Sequence, residues 1–243
     1  MEFKLKARAA NFRNRFGYSN SEPIEFRSLL WKLDILTVFY PLGEDFSGLS
    51  VLADDSRFIL VNSGQSLGRQ NFTIAHELYH LFYDNDFVPH KCNTGQFPSK
   101  NSTELKADLF ASFLLLPEDG ITDMISEREM MQDKIQLSTL LKIEQTYGSS
   151  RMALLIRLLS MKLITQSLVV QYSANILKNA RQYGYSPALY TRTDEKLIIG
   201  PYATLANKLF DENKISEGHY RELLAAIGID VNEIISDEEY RSE

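Results

Sequence analysis

The sequence predicts an α+β chain: a small mixed sheet backed by packed helices and followed by a mainly helical accessory region. Short β-branched and aromatic runs gather between residues 35 and 61, which is the signature of strands. Apolar residues recur at helical spacing through most of the remainder. With 12 Gly and 7 Pro among 243 residues and 44% hydrophobic content, the composition excludes a collagen-like or wholly disordered chain. A chain of this length buries roughly 70% of the surface its unfolded form would expose, so its core needs no covalent staple.

In order, the first 30 residues or so read as helix, and Pro23 interrupts them before a second helix through SLLWKL. Strand-like segments follow at Ile35 to Tyr40, at 49–53 (LSVLA) and at 57–61 (RFILV). The last two are joined through Asp54, Asp55 and Ser56 as a hairpin. A helix is expected over 69–83, then a polar irregular stretch through Pro98, then a helix over 101–116 stopped by Pro117. Helical patterns continue at 121–131, at LSTLLKIEQTYG, and, after a break at Gly148 with Ser149 as N-cap, at SSRMALLIRLLSMKL. Beyond these the reading is a strand near LVVQY, a helix over 174–183, a hairpin from ALYT and KLIIG, and helices at Tyr202 to Phe210 and Ser216 to Ile227. The expected division is residues 1–165 as the main domain and 166–243 as the accessory region.

Charge and cysteine content narrow the chemistry. A net charge of -6 argues against a mainly nucleic-acid-binding role, so direct nucleic-acid binding is not expected. The charge is uneven: residues 1–20 carry five Lys/Arg and one Glu, whereas 211–243 carry ten Asp/Glu and three Lys/Arg. The basic start reads either as the solvated face of a helix with Phe12 and Phe16 on its apolar side, or as an arm for a polyanion or partner. The acidic end reads as a solubilising tail. Apolar runs such as Phe113 to Leu116 fall far short of the ~20 residues that cross a bilayer, and the start lacks the apolar stretch of a secretory signal. A cytoplasmic protein without a membrane partner is expected. Cys92 is the only cysteine, so any metal must be held by carboxylates and by some of the four His residues.

His76-Glu77-Leu78-Tyr79-His80 supplies such a set. On a helix, His76 and His80 lie one turn apart on one face and can converge on one metal, with Glu77 beside it. Zinc suits two neutral nitrogens and leaves a position open for water, from which Glu77 would take a proton as it attacks a polarised carbonyl. The alternative is a surface helix with ordinary histidines. A third ligand must come from elsewhere, and STELKADLFASFLLLP offers Glu104, with Asp108 one turn later. Small Ala residues on that helix permit close approach, so Glu104 can reach the metal while Asp108 accepts a hydrogen bond from the outer nitrogen of a ligand His. The rival reading makes Glu104 the end of an Asn101-x-x-Glu104 capping box and Asp108 a surface charge.

RQNFTIAHELYH at 69–80 and ELKADLFASFLLLP at 104–117 together resemble the ImmA/IrrE family of zinc-dependent metallopeptidases, described by an IrrE N-terminal-like peptidase domain. The resemblance is strongest over about 50–117, with support from 25–165. It implies a zincin-like fold, Zn2+ held by His76, His80 and Glu104, and Glu77 as catalytic base. The E-x-x-x-D spacing to Asp108 looks like the supporting arrangement of gluzincins. The resemblance also implies a protein or peptide substrate, in particular cleavage of a repressor or other transcriptional regulator. A metal-binding module that controls such a regulator without cutting it is the alternative. Tyr79 departs from the family pattern, which often has Gly there, and nothing before residue 25 is long enough for the helix-turn-helix domain fused to some relatives.

Four further features have two readings. His90 reads as a substrate or oxyanion contact or as an ordinary loop histidine, and Tyr83 as a hydrogen-bond donor or a packing residue. Arg69 is poorly placed for the helix dipole and would instead pair with a carboxylate or position substrate. The region from Leu137 to Leu159, with Arg151 and Arg157, reads as two packed helices or as a DNA reader.

Overall fold

The computed structural model describes residues 1–53, 56–84, 102–131 and 134–229. Two helices open the chain, α1 (Glu2–Arg15) and α2 (Phe26–Lys32). Leu5, Ala9 and Phe12 form the buried face of α1, with Phe16 packed beside Phe12 at the helix end. The basic face is not wholly solvated: Arg13 is buried and donates to the carbonyls of Ser19, Leu114 and Glu22. After Pro23, the Glu25 carboxylate accepts the backbone N–H groups of Arg27 and Ser28 and so starts α2.

Strands β1 (Leu36–Tyr40), β2 (Gly48–Ala53) and β3 (Ser56–Asn62) lie where the pattern predicts them. β2 and β3 pair antiparallel, and β1 runs parallel to β3. The turn residues Asp54 and Asp55 lie outside the described residues. α3 (Leu67–Tyr83) crosses the sheet against β2 and β3 and packs on its other flank against α4 (Ser102–Leu115). Ala75, Ala107 and Ala111 are fully buried, and their small side chains let the two helices approach closely. α1 packs on α4 in turn.

The helix expected over 121–131 is two short ones, α5 (Glu118–Thr122) and α6 (Glu127–Met131). The Thr122 hydroxyl donates back to the carbonyls of Glu118 and Asp119, while Ser126 and Glu129 exchange hydrogen bonds as a capping box for α6. α7 (Leu137–Tyr147) ends at Gly148, whose φ of 60° is the left-handed cap that glycine tolerates. α8 (Arg151–Ser160) is capped by Ser150 rather than Ser149: the Ser150 hydroxyl accepts from the Ala153 N–H.

Two expectations for the last part of the chain are corrected. LVVQY is helical, in α9 (Gln166–Tyr172): Val169 and Tyr172, three apart, are both buried, and the Tyr172 hydroxyl donates to the Ile135 carbonyl at 2.9 Å. ALYT and KLIIG do not form a hairpin. After α10 (Ile176–Gln182), Pro187 starts a 3-10 turn over Pro187–Tyr190, with Ser186 capping the Ala188 N–H. KLIIG instead contributes β4 (Leu197–Ile199), which pairs antiparallel with β1. α11 (Tyr202–Asp211) and α12 (Glu217–Ala225) follow near the expected positions.

The sheet order is therefore β2-β3-β1-β4, a small mixed sheet in an α+β chain that is otherwise helical among the described residues. β2 is an edge strand beside α3, so its outer side has no strand neighbour among the described residues. No helix among the described residues is long and apolar enough to cross a membrane. The acidic end from residue 230 onward lies outside the described residues.

Candidate metal centre

α3 is buried along most of its length, and polar residues on it are held by specific partners. Gln70 donates to the Gln65 carbonyl at 2.8 Å and to the Thr193 hydroxyl at 3.1 Å, and Asn71 donates to the Gly148 carbonyl at 2.9 Å. These bonds fix the helix against both the β3 end and the segment after α10, so its central turn presents His76, Glu77 and His80 in one orientation. All three are at most 1% exposed.

His76 and His80 face α4, and their Nε2 atoms are 3.2 Å apart. Glu104, in the first turn of α4, brings Oε2 to 3.2 Å from His76 Nε2 and Oε1 to 3.3 Å from His80 Nε2. The three side chains form a group that could hold a metal ion. Asp108 is 3% exposed, and its Oδ1 lies 2.9 Å from His76 Nδ1. At the end of α3, Asp84 Oδ2 lies 3.1 Å from His80 Nδ1. A carboxylate on each Nδ1 holds the proton there and leaves each Nε2 with a lone pair. Two such lone pairs and a carboxylate crowded together repel one another unless a cation sits among them, and this donor set fits a metal.

Glu77 points away from α4, toward the edge strand. The Ser50 hydroxyl donates to Glu77 Oε2 at 2.7 Å, while Glu77 Oε1 is buried with no hydrogen-bond partner. Gly48 makes room for it: a Cβ there would stand 3.2 Å from Glu77 Oε1 and 2.5 Å from Thr73 Cγ2. A fully buried carboxylate oxygen without a partner is costly to fold around, and its position beside the histidines gives it a proton to accept only from a molecule that enters the site.

Residues 32–159, more than half of the chain, match the peptidase M78 family, described as the IrrE N-terminal-like domain. The chain belongs to this family. Membership supports a metallopeptidase-type function, and the matched span contains every residue of the cluster. No curated protein matches the chain.

Of the residues singled out in the sequence, His76, His80 and Glu104 come together as one donor group, Asp108 meets the outer nitrogen of His76, and Glu77 lies beside them on α3, turned toward β2. Tyr83 packs against Tyr79 and Phe110, and its hydroxyl donates to the Arg8 carbonyl, which is the packing alternative. Arg69 lies two turns before His76, with Nη2 3.4 Å from Ser47 Oγ, and burial lowers its pKa. Arg151 and Arg157 are buried, bonded to Glu144 and to the Leu116 carbonyl respectively, as packed helices require. His90, Cys92 and Asn101 lie outside the described residues. Sequence reasoning missed Asp84, Ser50 and Gly48. Asp84 carried a signal, since it follows His80 by the same four-residue interval that led from Glu104 to Asp108. Ser50 and Gly48 carried none, because the strand lying beside the helix is a matter of tertiary arrangement.

Proposed function

We propose that this M78 peptidase is a zinc-dependent endopeptidase that cuts a repressor or another transcriptional regulator at a specific site in the cytoplasm. The observation that carries the reading is the unpaired, buried Glu77 Oε1 next to a three-group donor set. Zinc as the ion is supported by ligand type and spacing. Two His nitrogens and one carboxylate are a common catalytic zinc set, and bonds of about 2.0–2.1 Å in tetrahedral geometry imply donor separations of roughly 3.3 Å. The closest approaches between the three side chains are 3.2, 3.2 and 3.3 Å.

When bound, zinc supplies Lewis acidity toward the scissile carbonyl and makes water easier to deprotonate. The chain's own groups do the rest. Ser50 fixes Glu77 Oε2, which leaves Oε1 to accept the proton of the attacking water and then return it to the leaving nitrogen. Asp108 and Asp84 keep the imidazoles in the tautomer that ligates through Nε2. The outer edge of β2, whose partner face reaches Glu77 through Ser50, offers backbone groups to an extended peptide and would align it beside the site.

A regulator as substrate rests on the family resemblance, and co-expression tests it. The wild type and Glu77→Gln are each expressed with candidate regulators from the same genomic neighbourhood. The expected result is fragments of one regulator with the wild type and intact regulator with the variant. Equal relief of the regulator's action by both forms, with no cleavage, would replace this reading by control through binding alone.

A further inference from the structure

The basic start of the chain has no part in the metal chemistry, yet it lies against it. Lys4 and Arg8 on α1 meet Lys106 on α4 around a recess of about 330 Å³, whose walls include Tyr79, Tyr83 and Asp84. The recess adjoins the donor group at two points. Asp84 lines it and holds His80 Nδ1 at 3.1 Å, and Thr103, also in its wall, immediately precedes Glu104.

Its electrostatics are one-sided. Among the described residues that line it, Lys4, Arg8 and Lys106 face the single carboxylate of Asp84, which is already committed to His80. Among the described residues none of Lys4, Arg8 and Lys106 has a carboxylate within ion-pair distance. Arg8 stacks its guanidinium over the Tyr83 ring, 5.2 Å from the centroid, and Lys106 is only half-buried. Burial raises the pKa of Tyr83, with Arg8 opposing it, so its hydroxyl keeps its proton. On a chain of net charge -6, an acidic ligand is repelled on average, so a local concentration of positive charge beside the site decides where an acidic segment settles.

We infer that this recess is a specificity subsite that receives an acidic side chain of the peptide substrate, next to the residue whose bond is cut. The inference rests on the peptidase reading for its substrate, but its test does not depend on cleavage. Lys4 and Lys106 make the charge contacts, and Arg8 both attracts the carboxylate and braces Tyr83.

The test measures peptide binding to metal-loaded Glu77→Gln by fluorescence anisotropy. Three labelled decapeptide pools are used, random except for two central residues fixed as Glu-Glu, Gln-Gln or Lys-Lys. The Glu pool should bind about five- to tenfold more tightly than the Gln pool at low salt, since a partly buried ion pair adds modestly and is screened as salt rises. Adding Lys4→Glu and Lys106→Glu should abolish that preference or turn it toward the Lys pool. Equal binding of the Glu and Gln pools, or an acidic preference that survives both charge reversals, would overturn the inference. Cleavage by the wild type is read separately, so a chain that prefers acidic peptides without cutting any would contradict the peptidase reading and leave the subsite standing.

Discussion

Asp108 and Asp84 each hold the outer nitrogen of one imidazole, and only the first was read from the sequence. Asp108 was legible because four-residue spacing on a helix that already carried Glu104 aims both side chains at one neighbour. Asp84 follows His80 by the same interval but sits just past the end of α3, where helical spacing no longer fixes direction. The two contacts are alike in length, 2.9 and 3.1 Å, so similar consequences are expected. Asp108→Ala and Asp84→Ala should each weaken metal affinity by roughly 10- to 100-fold, measured by competition with a chelator, while the fold persists. An affinity unchanged in Asp84→Ala would show that the tautomer of His80 is set by something else. By contrast, His76→Ala or His80→Ala should strongly reduce metal content from about one ion per chain, because each removes a direct donor.

At the level of elements, the helix carrying the site and the strands before it were legible because each keeps one period over its full length. The runs after residue 165 were not. LVVQY is five residues long, and an apolar run so short fits a strand or a buried helix turn equally well. KLIIG was recognisable as a strand, but its partner was not the nearest apolar run: it joins β1 across more than 150 residues of chain. Gly48 shows how an edge strand meets Glu77 from outside the His76, His80 and Glu104 group. Gly48→Ala would push a methyl group onto Thr73 and toward Glu77, so β2 must move off α3. The expected cost is about 1–3 kcal/mol of stability, read by denaturant unfolding. Peptide hydrolysis should fall further than metal affinity, since Glu77 and not the ligands is displaced. A variant with full activity would mean that the contact between β2 and Glu77 is not needed for catalysis.

Across the whole molecule, the segment after α8 is fastened to the family-matched region by buried polar contacts that no periodicity announces. Glu144 on α7 accepts two hydrogen bonds from Arg151 on α8 and one from the Tyr190 hydroxyl at 2.6 Å, and Arg151 also donates to the Tyr172 carbonyl at 2.9 Å. Desolvation raises the pKa of Tyr190, and the adjacent Glu144 charge reinforces this, so the phenol keeps its proton and its bond. Arg151→Met would strand the Glu144 carboxylate and should destabilise the protein by about 3–5 kcal/mol, whereas Glu144→Gln with Arg151→Met should restore most of that loss. Such stability changes stand apart from the catalysis proposed for Glu77 Oε1. The most direct test is incubation of the metal-loaded wild type and Glu77→Gln with an unbiased peptide library, with metal content measured on the same samples. Equal metal content is expected, with peptide fragments from the wild type alone; no fragments from the metal-loaded wild type, or the same fragments from both proteins, would refute the role proposed for Glu77.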